Sequence, residues 1–128
     1  MIAIVDYGMG NLRNVRRGFA EVGHSSTITD DPATIAGAEK IVLPGVGAFG
    51  EAVRRIRAKG LQEPLLRQIA TGTPLLGICL GMQLFYANSE ESPGAVGLGI
   101  LDGTVKKFAG ALKVPHIGWN DVLASSGE

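Results

Sequence analysis

The chain of 128 residues has one cysteine and two histidines, and no excess of either charge, with 12 Lys plus Arg against 12 Asp plus Glu. Each shortage excludes something. A single cysteine, Cys79, cannot close an internal disulfide, which fits a reducing cytosol and a cytoplasmic protein. Cys79 with His24 and His116 is too poor a ligand set for a structural metal, so no metal and no cofactor are expected. Balanced charge gives no sign of a nucleic-acid surface or an acidic tail. The longest apolar stretch, Pro74 to Ala87, is interrupted by Gln83 and is too short to span a bilayer. The amino terminus, Met1-Ile2-Ala3-Ile4-Val5-Asp6, has no basic region and reads as a first strand, not a signal peptide. Internal repeats are absent as well. The 19 glycines follow no fixed period; they fall at strand ends and mark tight turns.

What is present is an alternation of apolar runs with helical patterns. Ile2–Tyr7 reads as a buried strand. Asn11–Val22 reads as a helix with Leu12, Val15, Phe19 and Val22 on one face and Gly23 as its C-cap. Ser25–Thr29 is a β-branched strand, Asp30-Asp31-Pro32 a turn, and Ile41–Leu43 a short strand stopped by Pro44-Gly45. Glu51–Lys59 and Leu61–Ala70 read as helices broken at Gly60. Leu75–Cys79 is the next strand and Leu80–Ala87 the helix after it. Short β-like pieces follow at Ile100–Phe108 and Ile117–Leu123. This order predicts an α/β fold, a mostly parallel sheet with helices on both faces, in a single domain over residues 1–128.

Cys79 stands in Gly77-Ile78-Cys79-Leu80-Gly81, where an apolar run meets a run of helix formers. This is the sulfur version of the Gly-x-Ser-x-Gly elbow, a sharp strand-to-helix turn that lifts a nucleophile above the sheet. The glycines suit a tight backbone with neighbours too close for a Cβ. The free N–H groups of the following helix favour thiolate over thiol. A lone cysteine is commonly just a small buried hydrophobe. The elbow reverses that reading and makes Cys79 a candidate nucleophile.

In such sheets ligands sit beyond the carboxyl ends of the strands. Gly45-Val46-Gly47-Ala48-Phe49-Gly50 has the Gly-x-Gly-x-x-Gly spacing of a dinucleotide site. However, it does not follow the first strand, and the next strand ends at Cys79 with no carboxylate. The better use of Pro44-Gly45-Val46-Gly47 is as an oxyanion hole, with backbone N–H groups turned towards a carbonyl under attack. Of the two histidines, His24 lies at the start of a strand, away from the elbow. His116, in a turn bracketed by Pro115 and Gly118, has no acid spaced to orient it, Asp121 being the nearest.

Taken together, these motifs resemble the triad-type, class I glutamine amidotransferases. Within them the chain is similar, over its whole length, to the amidotransferase subunits of imidazole glycerol phosphate synthase, from histidine biosynthesis. Gly77-Ile78-Cys79-Leu80-Gly81-Met82-Gln83 carries the general likeness. The subunit-specific likeness is carried by Asp6-Tyr7-Gly8-Met9-Gly10-Asn11-Leu12, Leu43-Pro44-Gly45-Val46-Gly47-Ala48-Phe49 and Pro115-His116-Ile117-Gly118-Trp119-Asn120. Met82 stands where relatives making anthranilate or GMP usually carry His. The resemblance implies hydrolysis of glutamine to glutamate and ammonia through a Cys79 thioester. Gly47 and Leu80 would hold the oxyanion, and Gln83, Gly47 and Glu91 would contact glutamine. Ammonia would pass to a (β/α)₈-barrel cyclase partner docked near Asn11, His116, Trp119 and Asn120. The family's triad also needs a His-x-Glu pair, which these 128 residues do not contain. The chain therefore reads as roughly the N-terminal two thirds of the family's domain and is expected to be inactive alone. The alternative is a shortened interaction module that keeps the partner face without the chemistry.

Overall fold

A computed structural model of the chain describes residues 1–111 and 113–123. In chain order the elements are β1 (Ile2–Val5), α1 (Leu12–Glu21), β2 (Ser26–Thr29), α2 (Pro32–Ala36), β3 (Lys40–Gly45) and α3 (Phe49–Ala58). They continue with α4 (Gln62–Ala70), β4 (Leu75–Cys79), α5 (Leu80–Gln83), β5 (Tyr86–Ser89) and β6 (Leu101–Val105). Strands β2-β1-β3-β4 form one sheet in that order, and every pairing in it is parallel. This is the α/β architecture the alternating pattern predicts.

The apolar strands are buried because helices cover them. Ala3, Val5, Ile41 and Leu43 join Ile35, Phe49, Ile56, Leu61 and Leu65 of the helical layer in one core. Full burial of side chains of this size contributes about 1.5–3 kcal/mol apiece. Helix α1 lies over the opposite face, where Phe19 lines a cavity of about 210 Å³ with Val42 and Leu76. Its apolar stripe is only half-buried, and Val22 is exposed. Gly23, at φ 80°, follows the C-cap Val22.

Several boundaries differ from the sequence reading. Strand β1 ends at Val5, so Asp6 and Tyr7 already belong to the loop. The Asp30-Asp31-Pro32 turn opens a short helix, α2, because Asp31 caps it by accepting from the Ala33 and Thr34 N–H groups. Strand β3 runs through Pro44 and Gly45 instead of stopping before them. Its ladder with β1 ends at Val42, so the missing N–H of Pro44 leaves no gap there. The largest correction concerns Leu80–Ala87, which is not one helix. Helix α5 makes a single turn, and Tyr86–Ser89 pairs with β6 instead. The carbonyls of Leu84 and Phe85 accept from Leu98, Ile100 and Leu101, and this pairing outweighs helix propensity. Ile100–Phe108 contributes only β6, and residues 117–123 are irregular, not a strand.

Candidate active site

Strand β4 delivers Cys79 as its last residue, and the chain turns there into α5. Cys79 is at φ 54°, ψ −117°, the one non-glycine residue at positive φ among the described residues. Such a conformation costs roughly 1–3 kcal/mol and persists only where the surroundings enforce it. Both elbow glycines are part of that enforcement. A Cβ on Gly77 would stand 2.6 Å from Met82 Cα, and one on Gly81 would run into the Leu43 carbonyl. The outcome is an exposed thiol at the end of the sheet. Helix α5 is too short to present much of a dipole. As its first residue, Leu80 still has an N–H with no acceptor inside the helix.

The glycine loop after β3 arrives beside the thiol. In the β3–β4 ladder Gly45 is the register partner of Cys79, so the Val46-Gly47 turn begins alongside the nucleophile. Gly47 is at φ 98°, and a Cβ there would meet Met9 Cε at 2.9 Å. Gly10, in the loop after β1, is at φ 122°, and a Cβ there would be in ordinary contact with the Gly45 nitrogen, at 3.5 Å. The loops after β1 and β3 thus support each other at the carboxyl end of the sheet.

Tyr7 is buried beneath them, and its hydroxyl donates to the Pro44 carbonyl at 2.7 Å. Burial, and secondarily the charge of Cys79, push its pKa up to about 12. The sequence places Tyr7 at the end of a strand and within the subunit-specific motif Asp6–Leu12, with no role of its own. The signal available was a hydroxyl-bearing aromatic between a buried strand and the Gly8-Met9-Gly10 turn.

Gln83 and Glu91 line one open cleft of about 510 Å³, together with Ser89, Lys106, Phe108 and Pro115. Gln83 is the last residue of α5, four positions after Cys79, and neither Cys79 nor Gly47 is among the residues that line this cleft. The turn carrying Glu91 is fixed from two directions. The Glu91 N–H donates to Ser89 Oγ at 3.3 Å, and Ser92 Oγ accepts from the Gly50 N–H at 3.0 Å. Helix α3 has no side-chain cap of its own at Ala48, and Ser92 satisfies one of its free N–H groups from across the fold. Ser92 could not be found from sequence, because the contact is between distant segments.

The remaining expected positions have local partners of their own. Asn11 is exposed and caps α1, its Oδ1 accepting from the Asn14 N–H at 3.4 Å. His116 Nε2 lies 3.0 Å from Asn120 Nδ2, and Trp119 and Ile117 are exposed beside them. Among the described residues no hydrogen bond joins His24 or His116 to Cys79. No group of three metal-ligating side chains occurs among the described residues, and no helix is long and apolar enough to cross a membrane.

A cysteine elbow on a parallel sheet, with a glycine loop at its side, is the arrangement of the class-I glutamine amidotransferases. The chain belongs to that family, matching its sequence profile over residues 3–127. Among curated relatives it is 52% identical to imidazole glycerol phosphate synthase subunit HisH of Syntrophotalea carbinolica, with 95% of this chain and 63% of that protein aligned. It is 53% identical to the subunit HisH of Thermococcus kodakarensis, over 95% of this chain and 58% of that protein. The chain thus spans about three fifths of the length of these relatives. A solved structure described as a glutamine amidotransferase superposes with a TM-score of 0.71 at 19% identity, covering 83% of this chain and 56% of that one. At that identity the likeness confirms the fold.

Proposed function

We propose that the chain carries the nucleophile and substrate-contact half of a glutaminase site, in the amidotransferase subunit of an imidazole glycerol phosphate synthase. The observation that carries the reading is the pairing of Gly45 with Cys79, which sets a glycine turn next to an exposed thiol in a strained backbone.

The chemistry follows from those parts. The Cys79 sulfur attacks the side-chain amide carbon of glutamine; a C–S bond forms and the carbonyl electron pair moves onto oxygen. The N–H groups of Gly47 and Leu80 hold that oxyanion. Collapse breaks the C–N bond, and the nitrogen takes up a proton and leaves as ammonia. Water then attacks the thioester, releasing glutamate and restoring the thiol. Gln83, Gly47 and Glu91 orient the substrate. The base for these proton transfers corresponds to the family's His-x-Glu pair. His24 and His116 are not followed by glutamate at that spacing. The 128 residues alone therefore turn over no glutamine.

Ammonia passes to a (β/α)₈-barrel cyclase partner in the cytoplasm, docked over Asn11, His116, Trp119 and Asn120. The full exposure of Trp119 supports that face as a contact surface. The test is labelling of the chain with a chloroketone analogue of glutamine, read by intact mass and peptide mapping. One adduct is expected, on Cys79, with loss of chloride; it is blocked by glutamine and absent in Cys79→Ala. Labelling that glutamine does not slow would overturn the reading.

A further inference from the structure

We propose that Tyr7 is a positioning residue for the oxyanion loop, its buried hydroxyl fixing the peptide from which that loop starts. This rests on the glutaminase reading of the site and assigns a role to a side chain that does not touch substrate.

The geometry is specific. The β1–β3 ladder ends at Val42, two residues before Pro44, so the sheet supplies no β1 partner for the Pro44 carbonyl. Tyr7, just beyond the end of β1, provides one through its hydroxyl at 2.7 Å, in a buried setting. The Pro44 carbonyl and the Gly45 N–H belong to one planar peptide, so holding the oxygen sets the plane of the whole unit. Gly45 is the register partner of Cys79 and precedes the Val46-Gly47 turn. There is no slack around it. A Cβ on Gly45 would collide with the Tyr7 hydroxyl and come within 2.9 Å of the Gly81 nitrogen and Leu80 Cβ. Tyr7, the loop and the elbow therefore pack as one unit. With its pKa near 12, the hydroxyl remains a donor at every pH where the thiolate acts. Without that donor the buried Pro44 carbonyl would be unsatisfied, and the peptide would turn towards another partner. Oxyanion donors act only within a narrow range of distance, and small displacements lower rates steeply.

The test separates steps that need the oxyanion donors from steps that do not. Iodoacetamide alkylates Cys79 by displacement at carbon, whereas the chloroketone analogue of glutamine places its carbonyl oxygen in the oxyanion site. In Tyr7→Phe the maximal labelling rate by the chloroketone is expected to fall about tenfold. Its half-saturating concentration and the iodoacetamide rate should stay within about twofold, as a loss confined to positioning requires. An unchanged maximal chloroketone rate overturns this inference alone, as does an equal fall with both reagents. Absence of saturable, glutamine-protected labelling in the parent overturns the glutaminase reading and this inference with it. Should Tyr7→Phe not fold, the parent supplies the test through ring-labelled tyrosine, since Tyr7 and Tyr86 are its only tyrosines. The Tyr7 Cζ resonance is expected to differ between the chloroketone and iodoacetamide adducts; identical resonances overturn the proposal.

Discussion

At Gly47 two demands coincide: a backbone at φ 98° and the Met9 methyl group where a Cβ would go. Gly94 meets only the first, being at φ 85° with open space around it. The two glycines therefore separate strain from placement. Gly94→Ala is expected to cost roughly 1–3 kcal/mol in chemical denaturation and leave chloroketone labelling of Cys79 unchanged. Gly47→Ala carries a similar strain cost, and its labelling rate is expected to fall about a hundredfold, the scale of a lost oxyanion donor. Equal labelling of the two variants would remove Gly47 from the site. Cys79 is the counterpart of these glycines, a position where a strained backbone is kept with a side chain on it.

Among the elements, α2 shows how one capping side chain decides local structure. Asp31 accepts from the Thr34 hydroxyl and from the Thr34 and Ala33 N–H groups, and these bonds, the hydroxyl first, lower its pKa below the usual 3.8. A carboxylate depressed in the folded state contributes stability that is complete above its unfolded value and lost as pH falls through its folded one. The melting temperature of the chain is therefore expected to drop as pH falls below about 4. Asp31→Asn should show a shallower drop, the remainder coming from Asp30 beside Lys59 and Glu51 between Arg54 and Arg55. A profile in Asp31→Asn identical to the parent would remove Asp31 from this linkage. The sequence pattern made β4 and the break at Gly60 legible, because unbroken apolar runs and a glycine at positive φ are local signals. Where partners from distant segments decide, it failed. Tyr86 belongs to a strand only because β6 is there to pair with it, and Pro44 continues a strand only because β1 has already ended. The candidate nucleophile and the glycine loop were readable for the same reason that β4 was. The buried bond of Tyr7 and the cap supplied by Ser92 depend on tertiary contacts and were not.

Across the whole molecule the two faces of the sheet are unequal. On the α1 side a groove of about 280 Å³ runs between Val15, Phe19 and Val22 and the outward side chains of β4, Leu76 and Ile78. Leu76 is 51% and Val22 69% exposed, and β4 pairs only with β3 among the described residues. An apolar patch of roughly 200 Å² left wet forgoes about 5 kcal/mol, comparable with the lower end of a domain's total stability. The isolated 128-residue chain is therefore expected to self-associate in sedimentation experiments, with Leu76→Lys shifting it towards monomer. A parent that stays monomeric at all concentrations would show that this face needs no cover. The parallel ladders have a different kind of consequence, in time. Gly45 and Cys79 meet only after the chain has passed through α3 and α4 and returned as β4, and the loop also needs the bond from Tyr7. Pairings of this kind close late, because long loops lose their entropy before the contacts repay it. Assembly of the reactive thiol is thus tied to the last steps of folding, and a chain still incomplete on its pathway does not present it in working form.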